Sequence, residues 1–151
     1  MQTGYANLTE IGSGEILGGK RLQGTKSVEN VLDEIINAEF GKDQKIESVS
    51  VVSKSGLIIT GDPSRLPAKP EMFSAMISVI FSSAESSRVE PKKDKLEYVI
   101  GVYKTKKIFV WELSQSLMIA ITCDRDIPDE TMLSRIQNVA NKTKEELVWL
   151  R

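Results

Sequence analysis

Val28, Val31, Leu32, Ile35 and Ile36 recur with a period near 3.6 residues, the spacing that puts side chains on one face of an α-helix. Ser27 stands where its hydroxyl can cap the first turn, and Gly41 supplies the stop. The pattern then changes. Residues 46–52 and 57–60 are short, β-branched runs. The intervening Ser53-Lys54-Ser55-Gly56 predicts a hairpin. Pro63, Pro67 and Pro70 interrupt any regular structure until Pro70 opens a second helix.

That helix is predicted over about residues 71–88. Met72, Phe73, Met76, Ile77, Val79, Ile80, Phe81 and Ala84 cover more than one of its faces. A surface helix normally carries a single apolar stripe, so contact from two sides is expected. After a charged loop at residues 92–95, three strands follow at about 96–103, 106–113 and 117–122. Their links are so short that a meander is the economical connection. Leu96, Tyr98, Ile100 and Val102 alternate with Val99 and Tyr103, and Ile108 and Val110 oppose Phe109, Trp111 and Leu113. Strands apolar on both faces predict a sheet covered on both sides. Pro128 opens a last helix, with Met132, Leu133, Ile136, Val139, Ala140 and Leu147 as its stripe.

Residues 1–26 break from this regime. They hold six of the ten glycines (Gly4, Gly12, Gly14, Gly18, Gly19 and Gly24) and few large apolar groups. Ordering such a segment costs much backbone entropy and returns little burial. The expected division is a flexible arm over residues 1–26, ordered only by docking, and one domain over 27–151.

Composition narrows the function by exclusion. At 151 residues, 40% apolar and 27% charged, the chain suits a single globular domain. A net charge of −1 offers no basic field for nucleic acid or an anionic membrane. The longest uncharged stretch, residues 72–84, contains four serines and is too short to cross a bilayer. The start of the chain lacks a basic region followed by an apolar run, so no signal peptide is expected. One cysteine, Cys123, excludes an internal disulfide and agrees with a reducing cytoplasm. The absence of histidine removes the commonest general base and transition-metal ligand.

The candidate motifs weaken on inspection. Gly14-Glu-Ile-Leu-Gly-Gly19-Lys20 has the spacing of a phosphate-cradling loop. However, Arg21 stands where a magnesium-binding Ser or Thr belongs, no buried strand precedes it, and the next helix begins several residues late. Cys123 lacks a histidine base and is expected to be a packed thiol. Asp124, Asp126, Asp129 and Glu130 could gather a cation, but more simply favour the positive end of the last helix. Lys92, Lys93, Lys95, Lys104, Lys106 and Lys107 are expected to form a solvated loop edge or a protected strand edge.

The helix–β–β–helix–β–β–β–helix order resembles the roadblock/dynein light chain family, in its prokaryotic or archaeal form. The similarity is carried by Val49-Ser-Val-Val-Ser-Lys-Ser-Gly-Leu-Ile-Ile-Thr60, by Phe73-Ser-Ala-Met-Ile-Ser78 with residues 80–86, and by residues 117–140. Ser53 and Lys54 depart from it, at a turn often acidic in such proteins. The resemblance implies an α+β sandwich with one five-stranded antiparallel sheet, order 2-1-5-4-3, and helices on both faces. The 2-1 and 3-4-5 neighbours follow from the short hairpins, and the 1-5 junction from the resemblance.

Such proteins dimerise by pairing the middle strand and second helix of each copy. They serve as platforms for Ras-like GTPases, dynein or scaffold complexes. The implied function is therefore a non-enzymatic adaptor that forms a homodimer, or a heterodimer with a paralogue, and binds or regulates a small GTPase. No cofactor, metal, nucleic acid or membrane insertion is expected. The expected interface comprises Met76, Val79, Ile80 and Ser83 on the helix, with Glu97, Tyr98, Val99 and Ile100 on the strand. The alternatives are a longin- or profilin-like interaction module in a trafficking or cytoskeletal complex, or nucleotide binding through Gly14 to Lys20.

Overall fold

The computed structural model of the protein describes residues 27–88 and 94–148. The first helix, α1 (Val28–Phe40), begins where the Ser27 hydroxyl accepts from the Asn30 amide at 3.1 Å. It buries Leu32, Ile36 and Phe40. Gly41 ends it in a right-handed conformation, φ −62° and ψ −25°, rather than the left-handed one a terminal glycine often adopts. Glycine fits there for space, since a Cβ would come within 2.6 Å of the Asn37 carbonyl oxygen.

The strands β1 (Ile46–Ser53) and β2 (Ile58–Gly61) form the first hairpin. Gly56 in its turn takes φ +95°, where a side chain would be strained. A 3-10 turn at Pro63–Arg65 follows, its amide at Ser64 held by the Asp62 carboxylate at 3.0 Å. The helix α2 (Pro70–Ser86) leads to the meander of β3 (Tyr98–Val102), β4 (Lys106–Glu112) and β5 (Leu117–Asp124), and α3 (Asp129–Glu146) closes the described chain. All five strands join one antiparallel sheet in the order β2-β1-β5-β4-β3. The expected order holds, including the β1–β5 junction. Boundaries move by one or two residues: β2 starts at Ile58, leaving Leu57 exposed, and β3 is limited to five residues.

The two sheet faces are covered unequally. On one, α1 and α3 lie side by side over Val51, Phe109, Ile119, Ile121 and Cys123. On the other, α2 alone lays Phe73, Ile77 and Phe81 over Val52, Val110, Met118 and Ala120. Burying each such large apolar side chain is worth roughly 1.5–3 kcal/mol, so the two clusters dominate the fold. Arg135 of α3 staples the first pair of helices. Its guanidinium reaches the Glu39 carboxylate at 3.2 Å, the Asp43 carboxylate at 2.6 Å and the Glu39 carbonyl at 2.6 Å, and it lies 4.7 Å from the Phe40 ring centroid.

Candidate functional site

α2 is apolar on two faces, and the sheet takes only one of them. Phe73, Ile77 and Phe81, spaced by four, face the sheet and are almost fully buried. Met72, Met76 and Val79, spaced by four and three, form a second stripe that is 57%, 49% and 60% exposed. Ser83, one turn on, is exposed as well. The contact from a second side expected for this helix does not come from the described residues of its own chain.

The helix is fixed from its inner side by the first hairpin. Ser74 donates its hydroxyl to the Gly56 carbonyl at 2.7 Å, and Ser78 to the Lys54 carbonyl at 2.9 Å. Gly56 lies beside α2, where a Cβ built on it would stand in ordinary van der Waals contact, 3.8 Å, with the Ala75 Cα. Lys54 adds an ion pair with Glu112 and sits 5.2 Å from the Phe81 ring centroid. The turn Ser53 to Gly56 is thus the bracket of α2, which explains the small hydroxyl residues in a helix that is otherwise apolar.

β3 adjoins α2 and, among the described residues, forms an edge of the sheet hydrogen-bonded to β4 alone. Tyr98, Val99 and Ile100 are half-buried, and Val102 and Tyr103 beyond them are 56% and 58% exposed. Exposed apolar helix and open strand edge therefore lie side by side, a combination that favours docking of another chain. The expected interface residues divide between the two faces of the sheet: Ile100 packs against the α1/α3 cluster and Tyr98 shares its strand parity, while the others lie on α2 or on its side of β3. Met76, Val79, Ser83 and Glu97 are exposed, whereas Ile80 and Val99 are partly buried against the α2 core cluster. Met72 belongs to the same exposed stripe and was not among the expected residues; its place four residues before Met76 is the signal for it.

The other candidate chemistry resolves into structure. Cys123 is fully buried, and burial pushes its thiol up to about 11, away from the reactive thiolate. Asp124 meets Lys106 at 3.0 Å, Asp126 meets Lys45 at 3.3 Å, and Asp129 meets Lys107 at 2.5 Å. The hydrogen bond to Asp124 holds the Lys106 ammonium above its usual range. Lys107 corrects the reading of a solvated lysine edge. It is 7% exposed, and its ammonium reaches the Ile127 carbonyl and Asp129 at 2.5 Å each, across the start of α3. Strand alternation places it in line with Phe109 and Trp111, so its stem enters the core. The phosphate-loop spacing at Gly14 to Lys20, Lys92 and Lys93 all lie outside the described residues. Among the described residues, no group of three or more potential ligands could hold a metal, and no helix is long and apolar enough to cross a membrane.

A cleft of about 360 Å³ opens at the opposite side of the sheet, between α1 and the β1–β2 edge. Glu29, Asp33, Asp62 and Arg65 are the charged residues of its lining. Arg65 donates to the Ile46 carbonyl at 2.9 Å, and Thr60 donates its hydroxyl to Asp33. The Ser64 hydroxyl, 2.7 Å away, holds the Asp62 carboxyl below the usual carboxylate range. Ser48 also lines the cleft. Its hydroxyl, like those of Ser50 and Thr122, is buried with no hydrogen-bond partner among the described residues.

No protein-family profile matches the chain, and no curated protein matches it either. Solved structures do. MglB from Myxococcus xanthus superposes with a TM-score of 0.71 over 91% of this chain and 97% of its own, at 8% identity. A Roadblock/LC7 domain from Streptomyces avermitilis gives 0.66 over 77% and 97%, at 14% identity. Profilin IA from Acanthamoeba castellanii gives 0.52 over 75% and 96%, at 10% identity. At such identities the likeness speaks to fold. The chain has the roadblock fold.

Proposed function

We propose that this protein is a non-enzymatic dimeric adaptor that binds or regulates a Ras-like small GTPase. The observation that carries the reading is the unpartnered stripe of Met72, Met76 and Val79 beside the open edge of β3, on a roadblock fold. Two copies meeting there would continue one sheet into the other through main-chain hydrogen bonds and bury the two stripes against each other. The partner is a second copy or a paralogue with the same edge. Pairing leaves the α1 and α3 faces of both copies outward. The GTPase would be bound by the joined surface, in keeping with the family that the element order resembles.

The reading is tested by light scattering across a micromolar concentration range, with and without a Ras-like GTPase loaded with a non-hydrolysable nucleotide. A two-chain mass that gains the mass of the GTPase is the expected outcome. A monomer throughout, with or without the GTPase, would sink it.

A further inference from the structure

β1 is eight residues long and β2 only four, so β2 pairs with β1 from Ser50 to Val52 alone. The chain then leaves the sheet at Asp62, and Arg65 turns back to occupy the Ile46 carbonyl. Among the described residues, the outer edge of residues 47–49 therefore has no neighbouring strand. The acidic cleft lies along this edge, lined by Ile36 and Phe40 of α1 and by Ser48 and Val49 of β1. An exposed edge beside apolar side chains is the form of a site that accepts an added strand.

We propose that the N-terminal arm of the same chain is that strand, with residues 16–22 lying along the edge of residues 47–49. Two observations select it over a foreign peptide. The arm joins the domain at Ser27, the cap of α1, and Glu29 and Asp33 on the first two turns already line the cleft, so the arm leaves from one end of it.

The charge also matches. Residues 16–26 contain Lys20, Arg21 and Lys26 and no acidic side chain, while the described lining of the cleft holds Glu29, Asp33 and Asp62 against Arg65. Within the arm, Gly18 and Gly19 permit close backbone approach, and Leu17 and Leu22 supply apolar side chains. The glycines and lysine that imitate a phosphate loop thus find an occupation as a docking strand. This site lies at the edge of the sheet opposite β3, so it stands or falls apart from the dimer.

Hydrogen exchange on the full-length chain tests it, comparing the unaltered protein with K20E/R21E. The amides of residues 47–49 are expected to exchange about tenfold faster or more in the variant, while those of Val110 and Ile119 in the core remain unchanged. Adding E29K to K20E/R21E restores an opposite charge at the mouth of the cleft and should recover part of the protection. Equal exchange at residues 47–49 in all three proteins overturns the proposal. So does protection that appears only as concentration rises, which would assign the cleft to a segment of another molecule.

Discussion

Tyr98 on the edge strand stacks in an offset, near-parallel arrangement on Trp111, its directly paired neighbour in β4, with ring centroids 5.2 Å apart and 6° between the planes. An edge strand has only one neighbour, so this cross-strand pair is a principal tie between β3 and the rest of the sheet. Tyr98→Ala is expected to lower stability by about 1–2 kcal/mol in urea unfolding, combining the lost stacking with lost burial. Tyr98→Phe keeps the ring and should stay close to the unaltered protein. Equal losses in both variants would mean that the hydroxyl, not the stack, matters.

Val79 is the most exposed member of the α2 stripe, so a charge there should leave the monomer folded. Val79→Glu is expected to weaken association by about 2 kcal/mol, roughly thirtyfold, as measured by sedimentation equilibrium. Ile80→Glu is the less discriminating change, because Ile80 packs partly against the core and the variant would also lose stability. An unaltered dimer in Val79→Glu would remove the stripe from the interface.

Arg135 joins α1 to α3 through Glu39 and Asp43. Arg135→Met retains much of the stem over Phe40 and should cost about 1–2 kcal/mol. Its pH dependence is also defined. The Arg135 hydrogen bond, aided by the Lys45 amide, holds the Asp43 carboxyl below its ordinary 3.8. A carboxyl depressed on folding contributes stability that is complete above the unfolded value and is lost as pH falls through the folded one. The unaltered protein should therefore lose more stability than Arg135→Met on acidification from pH 5 to below 3, and the two denaturation midpoints should converge.

The hydroxyls of Ser50 and Thr122 are buried without partners among the described residues. Removing such groups while keeping the shape relieves a desolvation cost. Ser50→Ala and Thr122→Val are each expected to leave stability unchanged or raise it by up to about 1 kcal/mol. A loss above 1 kcal/mol in thermal unfolding would reveal a partner for these oxygens.

Cys123 should resist thiol reagents at neutral pH. Its buried thiol, raised to about 11, is expected to label only at the rate of global opening. Rapid labelling of the folded protein would contradict that burial.

Much of the architecture is legible in the sequence because it rests on local physics. The Ser53 to Gly56 turn fixes the first hairpin, Pro70 fixes the start of α2, and the short links fix the meander. The two apolar faces of α2 are equally visible, since the spacing of Met72, Met76 and Val79 is a sequence property. Long-range features are not. The joining of β1 to β5 spans some seventy residues and no side-chain pattern in either strand selects the other; it came through family resemblance. Lys107 carries the same charge as its solvated neighbours, and strand parity, which aligns it with Phe109 and Trp111, is what sets it apart. Arg135 and the α1 cleft depend on how separate elements dock. Only the unequal lengths of the two hairpin strands hinted at a gap beside β1.

The two edges of the sheet also differ in what they permit. β3 ends the sheet with a bare, apolar run, whereas β2 is four residues long and followed at once by Asp62 and Pro63, which turn the chain away. The dimer proposed above would consume the β3 edge in both copies and leave the β2 ends outward, with the neighbouring edge of residues 47–49 taken by the arm of the same chain in the further proposal. Such an assembly would be self-terminating, closing at two rather than propagating into a fibre.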